Sequence, residues 1–530
     1  MKVCGATLYV ALVGLLILQT VVLSKRVMFM PLPVTSAVSL HVQIARSVSD
    51  LGHETWLVLP ANVLRKNVVD LSGLSVIEYN TKLNIEDDVV RAHSLKAFLG
   101  RRAPEHSEVV RKAMDINTEI LSNSTLYRTL KTVQADLFVF DDDCESKMFV
   151  IFPYRMSVPF ACMDFGFEPF HRRVPFSPAS TSHPLAAFGR RMSFLQKLQN
   201  TFLFLSDWLG NPFYYNDAVA RFAPEMPYIP LDQLIARAEI WLVRTDPVLG
   251  LPVPTLPNVK LIGGIGATPA KPLTPKYQVF VDAAEDGVVV ATFGSMVLDL
   301  PDDITHKLFS AFLRLPMRVV FKSNVSSPDP TRILTAPWIP QNDLLAHHNV
   351  KVFLTHCGLN GLYQALDHTV PVVGLPLFYD QFHNAKVIEE KGFGKTLDIR
   401  DATESQLVEA LMEAAADPMY KNSISRASAL FREQFGEPIK TSAYWLDHVM
   451  QYGGQYMRTA GQEMALYEFL LLDVLAVLGS VFAVAVLVCC VSFRMLCSPS
   501  KRRVLLKRTL RSVVRKCSAA VFQRHLQNKL

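Results

Sequence analysis

The sequence predicts an α/β protein of two parallel-sheet domains, carried on one C-terminal transmembrane helix. Three observations predict it. Short apolar runs of strand length alternate with helical patterns in both halves of the chain. Pro252, Pro254, Pro257, Pro269, Pro272 and Pro275 punctuate the stretch between the halves, as in an interdomain linker. The run from Val474 to Phe493 carries no charge, and as a helix it is long enough to cross about 30 Å of hydrocarbon.

Composition narrows the class. Of 530 residues, 50% are hydrophobic and 19% charged, which excludes a disordered chain. Eight cysteines in that length exclude a disulfide scaffold. The formal charge of +6 is unevenly placed, because eleven Lys/Arg and no Asp/Glu lie between Arg494 and Leu530. Subtracting these eleven from +6 leaves the rest of the chain at −5. An acidic body gives no support to nucleic-acid binding.

The two ends read as addresses. Lys2 precedes the uncharged run Val3–Ser24, the pattern of a cleaved secretory signal over residues 1–24, with an uncleaved anchor as the competing reading. Basic residues after Phe493 stay cytoplasmic, so the body lies in the lumen or outside and the chain is a single-pass type I membrane protein. The tail 494–530 either lies on anionic lipid or is solvated. In the body, Asn123-Ser-Thr125 and Asn324-Val-Ser326 are glycosylation acceptors if they meet the secretory pathway. Cys144, Cys162 and Cys357 allow one bridge, with the pairing open.

The elements of the first domain, residues 25–250, follow in order. Lys25–Pro31 is a strand, and Leu40, Ile44, Val48 and Leu51 fall on one face of a helix ended by Gly52. Trp56–Leu59 is the next strand, and this strand–helix–strand opening implies a parallel sheet. Leu74–Ile77, Leu137–Phe140 and Val158–Cys162 extend it. Residues from about Pro175 to Tyr228 show no alternation and read as an excursion that shapes a pocket or touches membrane, or as a plain insertion. After the linker, 251–275, the pattern restarts in a second domain, 276–460. Its strands are Gly287–Phe293, ending in Gly294-Ser295, then Met317–Phe321, Val350–Leu354 and Val370–Leu375. Two such domains place a ligand cleft at the carboxyl ends of their strands.

The chemistry concentrates between Trp338 and Gln381. Trp338 offers a flat face for a base, and Gln341 an amide nearby. Thr355-His356 ends a strand and Cys357-Gly358 opens a helix, whose free N–H groups and dipole suit a diphosphate. Gly358 and Gly361 let the backbone approach closely, and Ser295 follows another strand. Asp380 and Gln381 can accept from and donate to sugar hydroxyls.

This box, Trp338-Ile-Pro-Gln341 through Thr355-His-Cys-Gly358, Asn360-Gly361 and Pro376-Leu-Phe-Tyr-Asp-Gln381, resembles the donor signature of the UDP-glycosyltransferases. Arg244-Thr-Asp246, Gly263-Gly264 and Phe293-Gly-Ser-Met296 resemble its animal membrane-anchored branch, the UDP-glucuronosyltransferases. The resemblance covers nearly the whole chain and is looser in the first half. It implies two Rossmann-like domains in the GT-B architecture. It also implies a UDP-sugar as donor substrate, no bound cofactor or metal, and phosphate contacts from His356, Asn360 and Gly361.

Two positions depart from the family pattern. Gln364 stands where a Glu holds the ribose, which predicts weaker donor binding. Counting back fifteen residues from Gly52 in Gly52-His53-Glu54, the usual catalytic base position is Ala37. His41, one helical turn on, is the nearest imidazole, and Asp141 is the expected partner carboxylate. In Asp141-Asp142-Asp143 a metal-holding Asp-x-Asp is the competing reading, and a solvated acidic loop the plain one for Asp142 and Asp143.

The sequence therefore predicts transfer of glucuronate, with glucose next, from a UDP-sugar to a small lipophilic acceptor with inversion, at the lumenal face of the endoplasmic reticulum. His383 adds slight weight to a carboxylated sugar. A silent UDP-sugar-binding membrane protein of the same fold is the alternative, ahead of a purely structural membrane protein. A homo-oligomer is compatible with the sequence.

Overall fold

In a computed structural model, the structure describes residues 24–67, 69–92, 98, 106–143, 146–215, 217–295, 297, 300–496 and 507–515. The expected signal run up to residue 23, Cys144, Met296 and most of the basic tail lie outside the described residues. Two compact units divide at Glu463 and Met464.

The first unit contains two sheets, both wholly parallel. Sheet one comprises β1 (Arg26–Met30), β2 (Glu54–Pro60), β3 (Ser75–Tyr79), β4 (Leu137–Asp141), β5 (Phe160–Asp164), β6 (Ile240–Val243) and β7 (Val259–Leu261), in the order β3-β2-β1-β4-β5-β6-β7. Sheet two comprises β8 (Val288–Thr292), β9 (Arg318–Lys322), β10 (Ile333–Ala336), β11 (Val350–Thr355), β12 (Val372–Gly374) and β13 (Gly394–Thr396), in the order β10-β9-β8-β11-β12-β13. Strand order reverses between β1 and β4 in one sheet and between β8 and β11 in the other. Such switch points open a crevice at the carboxyl ends of the strands. The apolar runs are continuous because both faces of each sheet are covered: β4, β5 and β8 are buried along their whole lengths.

Seven helices position the features discussed below: α1 (Thr35–Asp50), α2 (Phe194–Tyr215), α3 (Gln341–Leu345), α4 (Leu359–Asp367), α5 (Gln381–Lys391), α6 (Pro438–Tyr452) and α7 (Leu472–Leu496). In α1 the inner face is Val38, Ile44, Ala45 and Val48, and Gly52 at φ +93° reverses the chain after the helix, the left-handed conformation glycine tolerates. The expected linker is more than a spacer, since Val259–Leu261 within it adds edge strand β7. The stretch 175–228, read as an excursion or a plain insertion, contains the 22-residue α2.

Chain order does not decide which sheet a helix covers. α6 follows the second sheet but packs on the first, where Ala443, Leu446 and Val449 join the cluster of Val38, Val42, Ile44 and Ala45. His53 Nε2 meets Asp447 Oδ1 at 2.9 Å across the same seam. In the second unit, α7 contains a 23-residue stretch, Leu472–Arg494, long and apolar enough to cross a membrane.

Because Leu446 is fully buried, Leu446→Ala is expected to destabilise the body by about 2–5 kcal/mol, the cost of a large-to-small change in a core. A urea unfolding midpoint of the detergent-solubilised protein measures it.

Candidate active site

Asp141 ends β4 at the first switch point and has no solvent exposure. Its Oδ2 accepts from the Leu32 backbone N–H at 2.6 Å and lies 3.0 Å from His41 Nε2. Its Oδ1 lies 3.6 Å from Arg244 Nη2. Burial pushes this carboxyl up, but the charges of His41 and Arg244 and the hydrogen bonds outweigh it, so its pKa stays below the usual carboxylate value.

His41 is equally buried, on α1, with its ring edge against Phe29. Nε2 meets Asp141 at ion-pair distance rather than along a well-directed hydrogen bond, and Nδ1 has no hydrogen-bond partner. A buried polar atom left without a partner is costly and uncommon. Ala37, the counted base position, lies inside the first turn of α1 and is fully buried in the core of sheet one. No space exists there for an imidazole without displacing that core.

The expectation of a solvated acidic loop fails at Asp142. This carboxylate is buried and meets His171 Nδ1 at 2.9 Å. The His171 charge holds the Asp142 pKa below its usual value against the upward push of burial. Next to it Asp164 pairs with Arg172, yet burial pushes its carboxyl up to about 6. No group of three or more His, Cys, Asp or Glu placed to hold a metal ion occurs among the described residues.

Arg244 is the residue that sequence reasoning quoted without a role. It follows β6, stacks 3.3 Å from the Phe165 ring centroid, and is buried with Nε and Nη2 lacking hydrogen bonds. The acidic groups around it include Asp141, Asp164 and Asp380.

The second switch point is built around His356. β11 ends at Thr355, Cys357 takes a left-handed φ of +64°, and Gly358 opens α4 without a side-chain cap. The first N–H groups of α4, including those of Asn360 and Gly361, therefore lack intrahelical partners. The His356 ring sits between two glycines. A Cβ on Gly294, itself at φ +78°, would fall 2.6 Å from Nε2, and one on Gly358 would fall 2.5 Å from it. Burial, aided by the Lys322 charge, pushes His356 down to about 4, so the ring is neutral at pH 7. Ser295 follows Gly294, half-buried.

Lys322 was missed by the sequence reading. It ends β9, donates to the Gly294 carbonyl at 2.6 Å, and lies 5.0 Å from the centroid of Trp338. Burial and the Arg91 charge push its ammonium down to about 8. The only signal for it was a lone polar residue at the end of an apolar strand. Trp338 is 60% exposed, presenting a face to stack on, while Tyr277 Oη donates to its carbonyl at 3.1 Å.

Gln341 Nε2 donates to Gln364 Oε1 at 2.6 Å, and Gln364 Nε2 donates to the Gly266 carbonyl at 2.9 Å. Gln364 thus offers one oxygen, already engaged, where a carboxylate would offer two. Asp380 accepts from Asn384 Nδ2 at 2.7 Å, and burial raises its pKa. Gln381 is buried and its Oε1 caps the backbone N–H groups of Leu377 and Phe378, so only its amide N–H groups remain to face a sugar. His383 Nδ1 lies 3.2 Å from the Ala186 carbonyl, which ties it to the loop before α2. Cys162 and Cys357 are free, buried thiols.

A family model described as UDP-glucoronosyl and UDP-glucosyl transferase matches residues 27–505. The chain belongs to this family. Among curated relatives of this UDP-glycosyltransferase, 2-hydroxyacylsphingosine 1-beta-galactosyltransferase of Mus musculus is 29% identical over 470 residues, 86% of this chain and 85% of that one. UDP-glucuronosyltransferase 2A3 of Cavia porcellus is 32% identical over 390 residues, 69% and 72% of the two chains. Among solved structures, the glycotransferase of kitacinnamycin matches with a TM-score of 0.59 at 17% identity, covering 80% of this chain and 99% of that one. These neighbours share the GT-B glycosyltransferase fold. A UDP-sugar is accordingly the donor substrate of this UDP-glycosyltransferase.

With a diphosphate bound beside Lys322, nucleotide affinity is expected to depend on pH. The lysine's folded pKa of about 8 lies below the usual 10.5, so its charge is present near neutral pH and lost as pH rises through 8. UDP affinity, measured calorimetrically, is expected to fall above pH 8 by up to about tenfold per unit, the slope of one linked proton. Lys322→Arg should flatten that slope, and Lys322→Gln should weaken UDP binding at every pH.

Proposed function

We propose that the enzyme transfers glucuronate from UDP-glucuronate to a small lipophilic acceptor, with inversion, and that His41 is the base. The observation that carries this reading is the buried His41–Asp141 pair at 3.0 Å, with His41 Nδ1 unpartnered. Nδ1 would take the proton of an acceptor hydroxyl while Asp141 stabilises the imidazolium. The acceptor oxygen would attack the anomeric carbon as the bond to UDP breaks on the opposite face. A base of this kind contributes about 10²–10⁴ in rate. The ring has no exposure, so the acceptor must part the side chains that cover it.

On the donor side, Trp338 would stack the uracil, and Gln341 and Gln364 would face the base and ribose. Ser295, His356, Gly358, Asn360, Gly361 and Lys322 would take the charge developing on the diphosphate. Asp380 and Gln381 would hold the sugar. Arg244 supports glucuronate: its buried guanidinium has donors without hydrogen bonds, the group best suited to a carboxylate.

Residues 25–250 would form the acceptor domain and 276–460 the donor domain, with 1–24 a cleaved signal. α7 would span the membrane, with the body in the lumen of the endoplasmic reticulum. Asn324, exposed after β9, is the more accessible glycosylation acceptor, since Asn123 caps a helix.

Galactose is the second reading, favoured by the share of this chain, 86%, that aligns with the galactosyltransferase relatives. UDP release from UDP-glucuronate, UDP-glucose and UDP-galactose with a phenol acceptor decides between them. UDP-glucuronate should be used at least about tenfold better, and Arg244→Met should remove that preference. Preference for UDP-galactose would overturn the donor assignment, and no turnover with any donor while UDP still binds would favour the silent binder. EDTA should leave turnover unchanged; its loss, repeated in Asp143→Asn, would favour the metal reading.

A further inference from the structure

α2 carries an apolar face that none of the described residues covers. Phe194, Leu195, Leu198, Phe202, Leu205 and Leu209 are each 44–79% exposed. At about 100° per residue all six fall within one arc of about 100°. Such a stripe differs from apolar side chains scattered singly over a surface, which need no partner.

The helix is firmly held from its other side, so the stripe does not reflect a loosely docked segment. Asn200 is buried and donates to the carbonyls of Pro178 at 2.7 Å and Thr181 at 2.8 Å, while accepting from the His183 N–H at 2.8 Å. His183 Nε2 meets Asp207 Oδ2 at 2.7 Å. Phe204 packs with Phe167, Phe170 and Phe176. These contacts fix the face that the helix turns outward.

Charge along the first part of the stripe is mainly positive, with Asp207 paired to His183 and Glu390 accepting from the Arg190 N–H. From Ser182 to Ser206 there is no Asp or Glu, and the cations are Arg190, Arg191 and Lys197, all exposed. An exposed apolar arc edged by cations fits the boundary between acyl chains and anionic headgroups. The chain supplies such a surface itself: eight residues separate the end of the body at Glu463 from Leu472, where the apolar stretch of α7 starts. A bilayer reached through so short a tether is present at high effective concentration.

We infer that α2 is an interfacial membrane-docking helix that lays Phe194, Leu198, Phe202 and Leu205 into the bilayer in which α7 is anchored. The inference rests on the membrane-spanning reading of α7.

The test uses the full chain in phosphatidylcholine–phosphatidylserine vesicles. A photoreactive side chain is placed singly by Phe202→p-benzoylphenylalanine on the stripe, by Val481→p-benzoylphenylalanine in α7, and by Glu409→p-benzoylphenylalanine on an exposed polar helix of the body. Lipid adducts are read by mass spectrometry. Position 202 should capture lipid at least about tenfold more than position 409, approaching position 481. Capture at 481 but not at 202 would overturn the docking helix and leave the span standing; capture at neither would overturn both. A covalent dimer through 202 without lipid adduct would overturn the inference in favour of a second copy on this face. Leu198→p-benzoylphenylalanine repeats the measurement if the Phe202 variant misfolds.

Discussion

One buried carboxylate organises the first switch point of the molecule. Asp141 has no contact with water, and an isolated charge there would be too costly to keep. It stays ionised because the Leu32 N–H, His41 and Arg244 converge on it. Those three groups come from the loop after β1, from α1 and from the end of β6. Only a parallel sheet ordered β2-β1-β4-β5-β6 brings these segments to one edge. The fold thus places the imidazole, and the imidazole in turn keeps the carboxylate charged.

The proposed donor side meets the opposite problem. A diphosphate brings negative charge, so the site needs positive potential without a buried excess of fixed cations. In the proposed donor site the uncapped start of α4, a neutral His356 wedged between two glycines, and the half-buried Lys322 would provide it. Burial and the Arg91 charge hold the lysine's pKa down, and a bound anion would raise it again.

Much of this was legible in the sequence, and the exceptions have physical causes. The long buried strands announced themselves as apolar runs. β6, β7, β10 and β13 were not recognised: they are three or four residues each, too short for a periodicity. The donor box was readable because its residues lie close together in the chain. Lys322 and Arg244 belong to the site only through sheet order, which spacing does not encode. The count that led to Ala37 falls where α1 has already begun. Residue 37 there belongs to the core and His41, one turn on, meets the carboxylate. The stripe on α2 was hidden for another reason: its inner face is also aromatic, so apolar residues occur on both sides and the period of 3.6 is blurred.

Chemistry at His41 is the central claim, and one measurement tests it most directly. His41→Gln keeps the volume and a donor for Asp141 but removes the base. With UDP-sugar saturating, turnover of a phenol should fall at least about tenfold, turnover of an amine of similar shape should fall less, and UDP affinity and melting temperature should not change. Equal phenol turnover in wild type and His41→Gln would contradict the account.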